Sequence, residues 1–124
     1  MHRKKTVNKK EYIEQQLLSF GYENDDSLSL QKQVINFLNW INHRDDSPEI
    51  VRNVQHVDLM EIHVDNIVGI ARRLRQVHPH VIPEGGIAGV VIQKGEVYSL
   101  LDGYHRYVWM QQHNQETGLY IVLS

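Results

Sequence analysis

The apolar positions in the first third of the chain follow a helical spacing. From Lys9 to Phe20 they recur every three or four residues, which predicts an amphipathic helix that ends at Gly21. The stretch Ser27–His43 repeats this pattern, and Trp40 widens its apolar face beyond a single stripe. A face of this width predicts that the second helix is buried on more than one side.

The rest of the chain alternates between strand-like and helical patterns. Short apolar runs rich in β-branched residues predict strands at 57–64, 87–92, 97–101 and 119–123. Helical spacing returns in Val64–Val77 and from His105 to Asn114, whereas Glu49–Gln55 fits either a short helix or an extended lead-in. This order predicts an α+β fold, with a small mixed β-sheet, packed helices and a preceding N-terminal helical segment. That segment either packs on the sheet or supports partner binding.

The break at Ser47-Pro48 is the best candidate for a boundary within the chain. It separates 1–48, a basic tail and helical segment, from 49–124, which carries all the predicted strands. The composition does not shift strongly at this point, and 124 residues with 41% hydrophobic content suit a single core. We therefore expect one compact unit.

The composition excludes several classes of protein. The absence of cysteine rules out a disulfide framework, a cysteine-ligated zinc site and a cysteine nucleophile. No apolar run approaches the roughly 18–20 residues that cross a bilayer, and no signal-peptide core follows the basic start. We therefore expect a cytoplasmic protein that makes no contact with a membrane.

The net charge is only −2, but the positive charges are clustered. One cluster is Arg72, Arg73 and Arg75. The other lies in the first ten residues, and its candidate contacts to nucleic acid are Arg3, Lys4, Lys5, Lys9 and Lys10. Both clusters are either solvated surface or contacts to the phosphates of a nucleotide or nucleic acid.

The segment Leu100–Tyr107 carries the most informative residues of the chain. It predicts a strand that passes through Gly103 into a helix, a junction where backbone N–H groups and a helix dipole can receive a phosphate. Arg106 adds a planar cation, and His105 can donate to a phosphate or act as an acid–base group. The alternatives are that Gly103 only makes the turn, that Arg106 pairs with an acid, and that His105 is a surface or cap residue.

Asp102 is the candidate metal ligand at this junction, because Mg²⁺ prefers hard carboxylate oxygen. It is equally a candidate N-cap for the following helix. Tyr104 and Tyr107 can stack on a base or belong to the core or its rim. The histidines match no recognised zinc spacing, and the chain contains no Walker loop or dinucleotide fingerprint.

The region from about Val54 to Ser124 resembles the ParB/sulfiredoxin-like superfamily. The resemblance rests on the glycine-led strand Gly86–Ile92, the Asp-Gly-Tyr-His-Arg motif that ends Val97–Arg106, and the closing strand Leu119–Leu123. Members show a strand, a hairpin, this signature, a helix and a final strand. The resemblance covers a little over half of the chain, and only the Asp-Gly-Tyr-His-Arg motif is specific.

This resemblance implies that Gly103, His105 and Arg106 bind the phosphates of ATP, ADP or CTP. It extends these contacts to Tyr104 and to the glycines before the first hairpin strand, Gly85 and Gly86. Family members include DNA-partitioning clamps, nucleases, free-serine kinases and sulfinic acid reductases. The reductases carry a catalytic cysteine where this chain has Tyr104, which excludes that reaction.

The resemblance also suggests catalytic roles for Asp102, His105 and Glu61, the last as a second carboxylate. We expect the helix-turn-helix module of the partitioning proteins to be absent, since the chain stops at the closing strand. Trp109 replaces a small residue of the family pattern, and its bulk can fill or alter the pocket.

Two functions follow from these observations. The first is a nucleotide-binding protein with Mg²⁺, acting as a phosphotransferase or nuclease in nucleic-acid, plasmid or phage biology. The alternative is a phage- or plasmid-borne protein-binding or inhibitory module with a degenerate nucleotide site. In that case the Ser27–His43 helix contacts a protein partner or a second copy of the chain.

Overall fold

The computed structural model describes residues 8–41, 53–70 and 86–124. Within them the chain is α+β, with three α-helices and a five-stranded mixed sheet. The elements in chain order are α1 (Lys9–Ser19), α2 (Leu30–Ile41), β1 (Val57–His63), a 3-10 turn (Val64–Asn66), β2 (Ile67–Ile70), β3 (Gly89–Lys94), β4 (Val97–Asp102), α3 (Tyr104–Gln112) and β5 (Thr117–Leu123). The fold class predicted from the sequence is confirmed. No helix in these ranges has the length and apolar character needed to span a membrane.

The strands lie in the order β1-β5-β3-β4-β2. β1 pairs antiparallel with β5, and β5 pairs parallel with β3. β3 and β4 form an antiparallel hairpin, and β4 pairs parallel with the edge strand β2. As a result, the end of β4, the start of β3 and the start of β5 lie at the same end of the sheet.

Helices α1 and α2 cover one face of this sheet. Alternate residues of β5, Ile121 and Leu123, point to this face and are fully buried with Phe37 of α2. The buried residues of the cluster are Ile13, Leu17, Val34, Phe37, Leu38, Val57, Ile87, Val90, Ile92, Leu101, Ile121 and Leu123. The N-terminal helical segment therefore packs on the sheet, which is the first of the two alternatives left open by the sequence.

Helix α3 covers the opposite face. Here the intervening residues of β5, Tyr120 and Val122, pack against Met110 of α3. The buried residues of this cluster are Ile62, Val64, Ile67, Ala88, Val91, Leu100, Met110, Tyr120 and Val122. The alternation along β5 thus supplies both cores of a three-layer arrangement.

The helix predicted over Val64–Val77 is wrong in its first half. Val64–Asn66 forms a 3-10 turn, and Ile67–Ile70 is the edge strand β2, paired parallel with β4. β-Branched residues favour an extended conformation, and a parallel partner strand outweighs a helical spacing as short as this one. The remainder of the predicted helix lies outside the described residues.

The predicted helix Ser27–His43 begins later than its sequence limits. Ser29 accepts hydrogen bonds at the first turn of α2, from the Lys32 backbone N–H to Oγ (3.3 Å) and from the Gln33 backbone N–H to its carbonyl oxygen (2.9 Å). Asp25 closes a local turn before the helix by accepting from the backbone N–H of Ser27 at 3.0 Å. Residues 42 and 43 are outside the described ranges, as are 1–7, the arginines at 72, 73 and 75, and the loop residues 78–85.

Candidate functional site

The backbone at the end of β4 turns directly into α3 through Gly103. This residue is the helix N-cap, with φ 101° and ψ 24°, and its carbonyl oxygen accepts from the backbone N–H of Tyr107 at 2.9 Å. A positive φ of this size favours glycine. Gly103 and not Asp102 occupies the N-cap position, so the alternative of Asp102 as N-cap is wrong.

Two glycines lie against each other where β3 and β4 meet. A Cβ on Gly103 would meet the carbonyl oxygen of Ala88 and lie 2.9 Å from the Cα of Gly89. Reciprocally, a Cβ on Gly89 would meet the carbonyl oxygen of Asp102 and lie 3.1 Å from the Cα of Gly103. The register shifts here, since Val90 faces Asp102 whereas Val91 faces Leu100. The close approach of two backbones therefore requires glycine at both positions.

The first turn of α3 combines the positive end of a helix dipole with a cationic side chain. It contains no acidic residue, and the N-terminal end of a helix carries a partial positive charge of about 0.5. Arg106 lies in this first turn, and its side chain is half-buried. Tyr104 and His105 are also half-buried, so the candidate phosphate contacts of this motif lie together at one helix start.

Arg106 lies within electrostatic range of a buried tyrosine on β5. Burial and, less strongly, nearby Tyr107 raise the pKa of Tyr120 to about 12, and the positive charge of Arg106 acts in the opposite direction. The Tyr120 hydroxyl contacts the sulfur of Met110 at 3.8 Å. Sequence reasoning missed this neighbourhood of Arg106, because it depends on how α3 packs across β5.

Trp109 makes its ring contact at the far end of α3. Its indole stacks on the imidazole of His113, with ring centroids 4.2 Å apart and an interplanar angle of 17°. His113 also approaches the Trp109 carbonyl oxygen through Nδ1 at 2.8 Å. This ring contact lies at the last turn of the helix, away from Gly103.

Glu61 is not brought to the junction. It lies on β1, and three steps between neighbouring strands separate it from Asp102 on β4, a distance of about 14 Å at roughly 4.8 Å per step. It also shares a strand face with Val57 and Leu59, which pack under α1 and α2. The two carboxylates therefore do not form a pair in this structure.

Gly86 contacts helix α1. The Oε1 atom of Gln16 accepts a hydrogen bond from the backbone N–H of Ile87 at 3.2 Å, and it would lie 2.7 Å from a Cβ on Gly86. Gly86 has φ 69°, so this turn also favours glycine. Gly85 lies outside the described residues. The sequence contains no signal for this contact, which joins residues 71 positions apart.

Lys9 and Lys10, two of the predicted contacts to nucleic acid, lie at the start of α1. Lys9 donates to the carbonyl oxygen of Val57 at 2.9 Å and lies 3.9 Å from Asp58, so it is bound to β1 and does not belong to a basic tail. Lys10 is exposed at the start of α1. Over the described ranges, no group of three or more histidine, aspartate or glutamate side chains is arranged to hold a metal ion.

Comparisons of the chain with protein-family models, with curated proteins and with solved structures found no match.

Proposed function

We propose that the β4–α3 junction binds the phosphate groups of a nucleotide. The observation that carries this proposal is the start of α3, where a helix begins at the glycine N-cap Gly103, with no acid in its first turn and with Arg106 in that turn. Backbone N–H groups at such a helix start are suited to phosphate oxygens, and the arginine fork can contact two of them. The order β3, β4, α3, β5 also agrees with the ParB/sulfiredoxin-like pattern that the sequence resembles.

The residues of the motif then have distinct roles. The backbone at Gly103 and Tyr104 and the side chain of Arg106 hold phosphate oxygens, and His105 donates a hydrogen bond. Asp102 fits a Mg²⁺ ion shared with the phosphates, because this ion is commonly held by one or two carboxylates, substrate phosphates and water. Mg²⁺ would supply charge neutralisation at the phosphate oxygens.

The geometry supports nucleotide binding more directly than phosphoryl transfer or nucleic-acid cleavage. Either reaction needs a group that positions or activates a nucleophile in addition to the phosphate contacts. Glu61, the second carboxylate suggested by the resemblance, lies across the sheet from Asp102. The proposal is therefore confined to binding, with Asp102 and His105 as the groups at the junction that can take part in chemistry.

Isothermal titration calorimetry of the full chain with ATP, ADP and CTP, each with Mg²⁺, tests this proposal. We expect at least one nucleotide to bind, and Arg106→Ala to weaken it by about tenfold or more, since hydrogen bonds to charged groups contribute about 1.5–3 kcal/mol. Arg106→Lys retains the charge but loses the fork, so it should recover only part of the affinity.

Lys94→Ala is the matched control. Lys94 is exposed at the end of β3, at the opposite end of the sheet from Gly103. Lys94→Ala removes one positive charge, as Arg106→Ala does. Circular dichroism spectra and thermal unfolding of each variant establish that it is folded before titration. The proposal is refuted if no nucleotide binds the wild-type chain, or if Lys94→Ala weakens binding as much as Arg106→Ala.

A further inference from the structure

Four aromatic side chains form a cluster at the ends of α1 and α2, on the side of the molecule that faces away from α3. We call Phe20, Tyr22, Phe37 and Trp40 the aromatic patch. Phe37 is buried at its base, whereas Phe20 is 42% exposed and Trp40 is 45% exposed. The ring centroids of Tyr22 and Trp40 are 5.3 Å apart, and those of Phe20 and Phe37 are 5.5 Å apart.

Trp40 extends the aromatic patch beyond the residues of α2 that are buried in the core. The buried residues of α2 are Val34, Phe37 and Leu38, which belong to the core cluster on the sheet, and Gln33. Trp40 lies outside this set, and its ring is 6.1 Å from Phe37 with the outer part open to solvent. Adjacent exposed aromatic rings form an apolar surface of the kind that marks an interaction site.

Acidic residues border this patch. Glu23, Asp25 and Asp26 are exposed in the loop that follows Tyr22, and among the described residues none of them forms a salt bridge. Hydrogen bonds from the side chain and backbone of Ser27 hold the pKa of Asp25 below its ordinary value. Its charge also reaches the patch, since burial and then the negative charge of Asp25 raise the pKa of Tyr22.

We propose that the aromatic patch and its acidic border bind a protein segment in which a lysine or arginine side chain is flanked by apolar residues. The faces of Tyr22 and Trp40 attract a cation, the neighbouring carboxylates attract the same charge, and Phe20 offers area for an apolar neighbour. Charge complementarity thus selects a cationic partner segment over an anionic one.

A second copy of the chain fits this surface less well. In a twofold dimer the same patch faces itself, so the carboxylates at 23, 25 and 26 of both copies would approach each other. Like charges placed opposite each other disfavour an interface. The acidic border therefore favours a different protein over self-association.

Nuclear magnetic resonance of the full, isotope-labelled chain can test this inference. The probe is an acetylated and amidated peptide of sequence Gly-Leu-Lys-Leu-Gly, and its comparison is the same peptide with glutamate in place of lysine. We expect the lysine peptide to shift the resonances of Phe20, Tyr22 and Trp40 but not those of α3. We expect the shifts to diminish with added salt, and the glutamate peptide to leave these resonances unchanged.

Two double variants separate the charge from the apolar surface. Asp25→Asn/Asp26→Asn removes two charges while keeping an oxygen that accepts from Ser27, and we expect it to weaken the lysine peptide about two- to fivefold. Glu96→Gln/Glu116→Gln removes two exposed charges elsewhere and should leave the affinity unchanged.

Three results would each overturn the inference. The first is equal shifts with both peptides, which indicates apolar adhesion alone. The second is the absence of any shift with the lysine peptide. The third is a doubling of the mass in light scattering that Trp40→Ala abolishes, which assigns the patch to a second copy of the chain.

Discussion

The contact between the two glycine backbones makes a quantitative prediction about stability. In Gly103→Ala an alanine must adopt the backbone conformation with φ 101°. Its methyl group also meets the Ala88 carbonyl oxygen and the Gly89 Cα. A left-handed conformation costs an L-residue about 1–2 kcal/mol, and overpacking against fixed atoms costs about 1–3 kcal/mol more. We therefore expect Gly103→Ala to lower the free energy of unfolding by about 2–5 kcal/mol.

Gly95→Ala isolates the conformational part of this cost. Gly95 has φ 65° in the β3–β4 turn, and a Cβ there would have no atom within 4 Å. Both variants replace glycine with alanine, so the loss of entropy in the unfolded chain is the same and cancels in their difference. Gly95→Ala should thus cost only about 1–2 kcal/mol.

Urea unfolding followed by circular dichroism measures this difference. At an m-value of about 2 kcal/mol/M, the extra 1–3 kcal/mol lowers the midpoint of Gly103→Ala by roughly 0.5–1.5 M relative to Gly95→Ala. Gly89→Ala, which meets the Asp102 carbonyl oxygen without a positive φ, should cost about 1–3 kcal/mol from overpacking alone. If Gly95→Ala costs as much as Gly103→Ala, the backbones do not approach as described.

Three further predictions concern the described contacts. Gln16→Ala removes the acceptor that holds the start of β3 and should lower the free energy of unfolding by about 1–3 kcal/mol in urea titrations, whereas the exposed Gln15→Ala should have little effect. Because the pKa of Tyr120 is raised to about 12, its contribution to the free energy of unfolding is fully present below the ordinary tyrosine pKa and is lost as the pH rises toward about 12. Urea unfolding at pH 9 and 11 should therefore show a larger loss of stability in the wild-type chain than in Tyr120→Phe. Ser27→Ala removes the hydroxyl donor but keeps the backbone donor, so it should raise the pKa of Asp25 part of the way toward its ordinary value in a carboxyl titration by nuclear magnetic resonance. An unchanged pKa would contradict the assigned side-chain hydrogen bond.

Runs of apolar residues predicted the strands that the structure buries on both faces. β5 shows this most clearly, because its sequence carries two apolar faces and both are buried, one under α2 and one under α3. The strand β2 was not predicted, because Ile67 and Ile70 also fit a helical spacing. Four residues hold too little periodicity to separate the two structures, and the pairing with β4 decides the outcome.

The candidate site was predictable in its local part and unpredictable in its distant part. The motif around Gly103 carries its own turn and helix start, so residues adjacent in sequence remain adjacent in space. The separation of Glu61 from Asp102 depends on the strand order, in which β5 and β3 lie between them. The contact of Gln16 with Ile87 likewise follows only from the packing of α1 against the sheet.

The N-terminal helices support the backbone that packs against Gly103. Gln16 of α1 holds the backbone of Ile87, and the carbonyl oxygen of the next residue, Ala88, lies against Gly103. A chain that began at residue 49 would lose this support, and it would expose the buried residues of β3 and β5 that α2 now covers. The break at Ser47-Pro48 therefore divides the sequence without dividing the core, and a fragment of 49–124 is a poor substitute for the full chain in any test of the site.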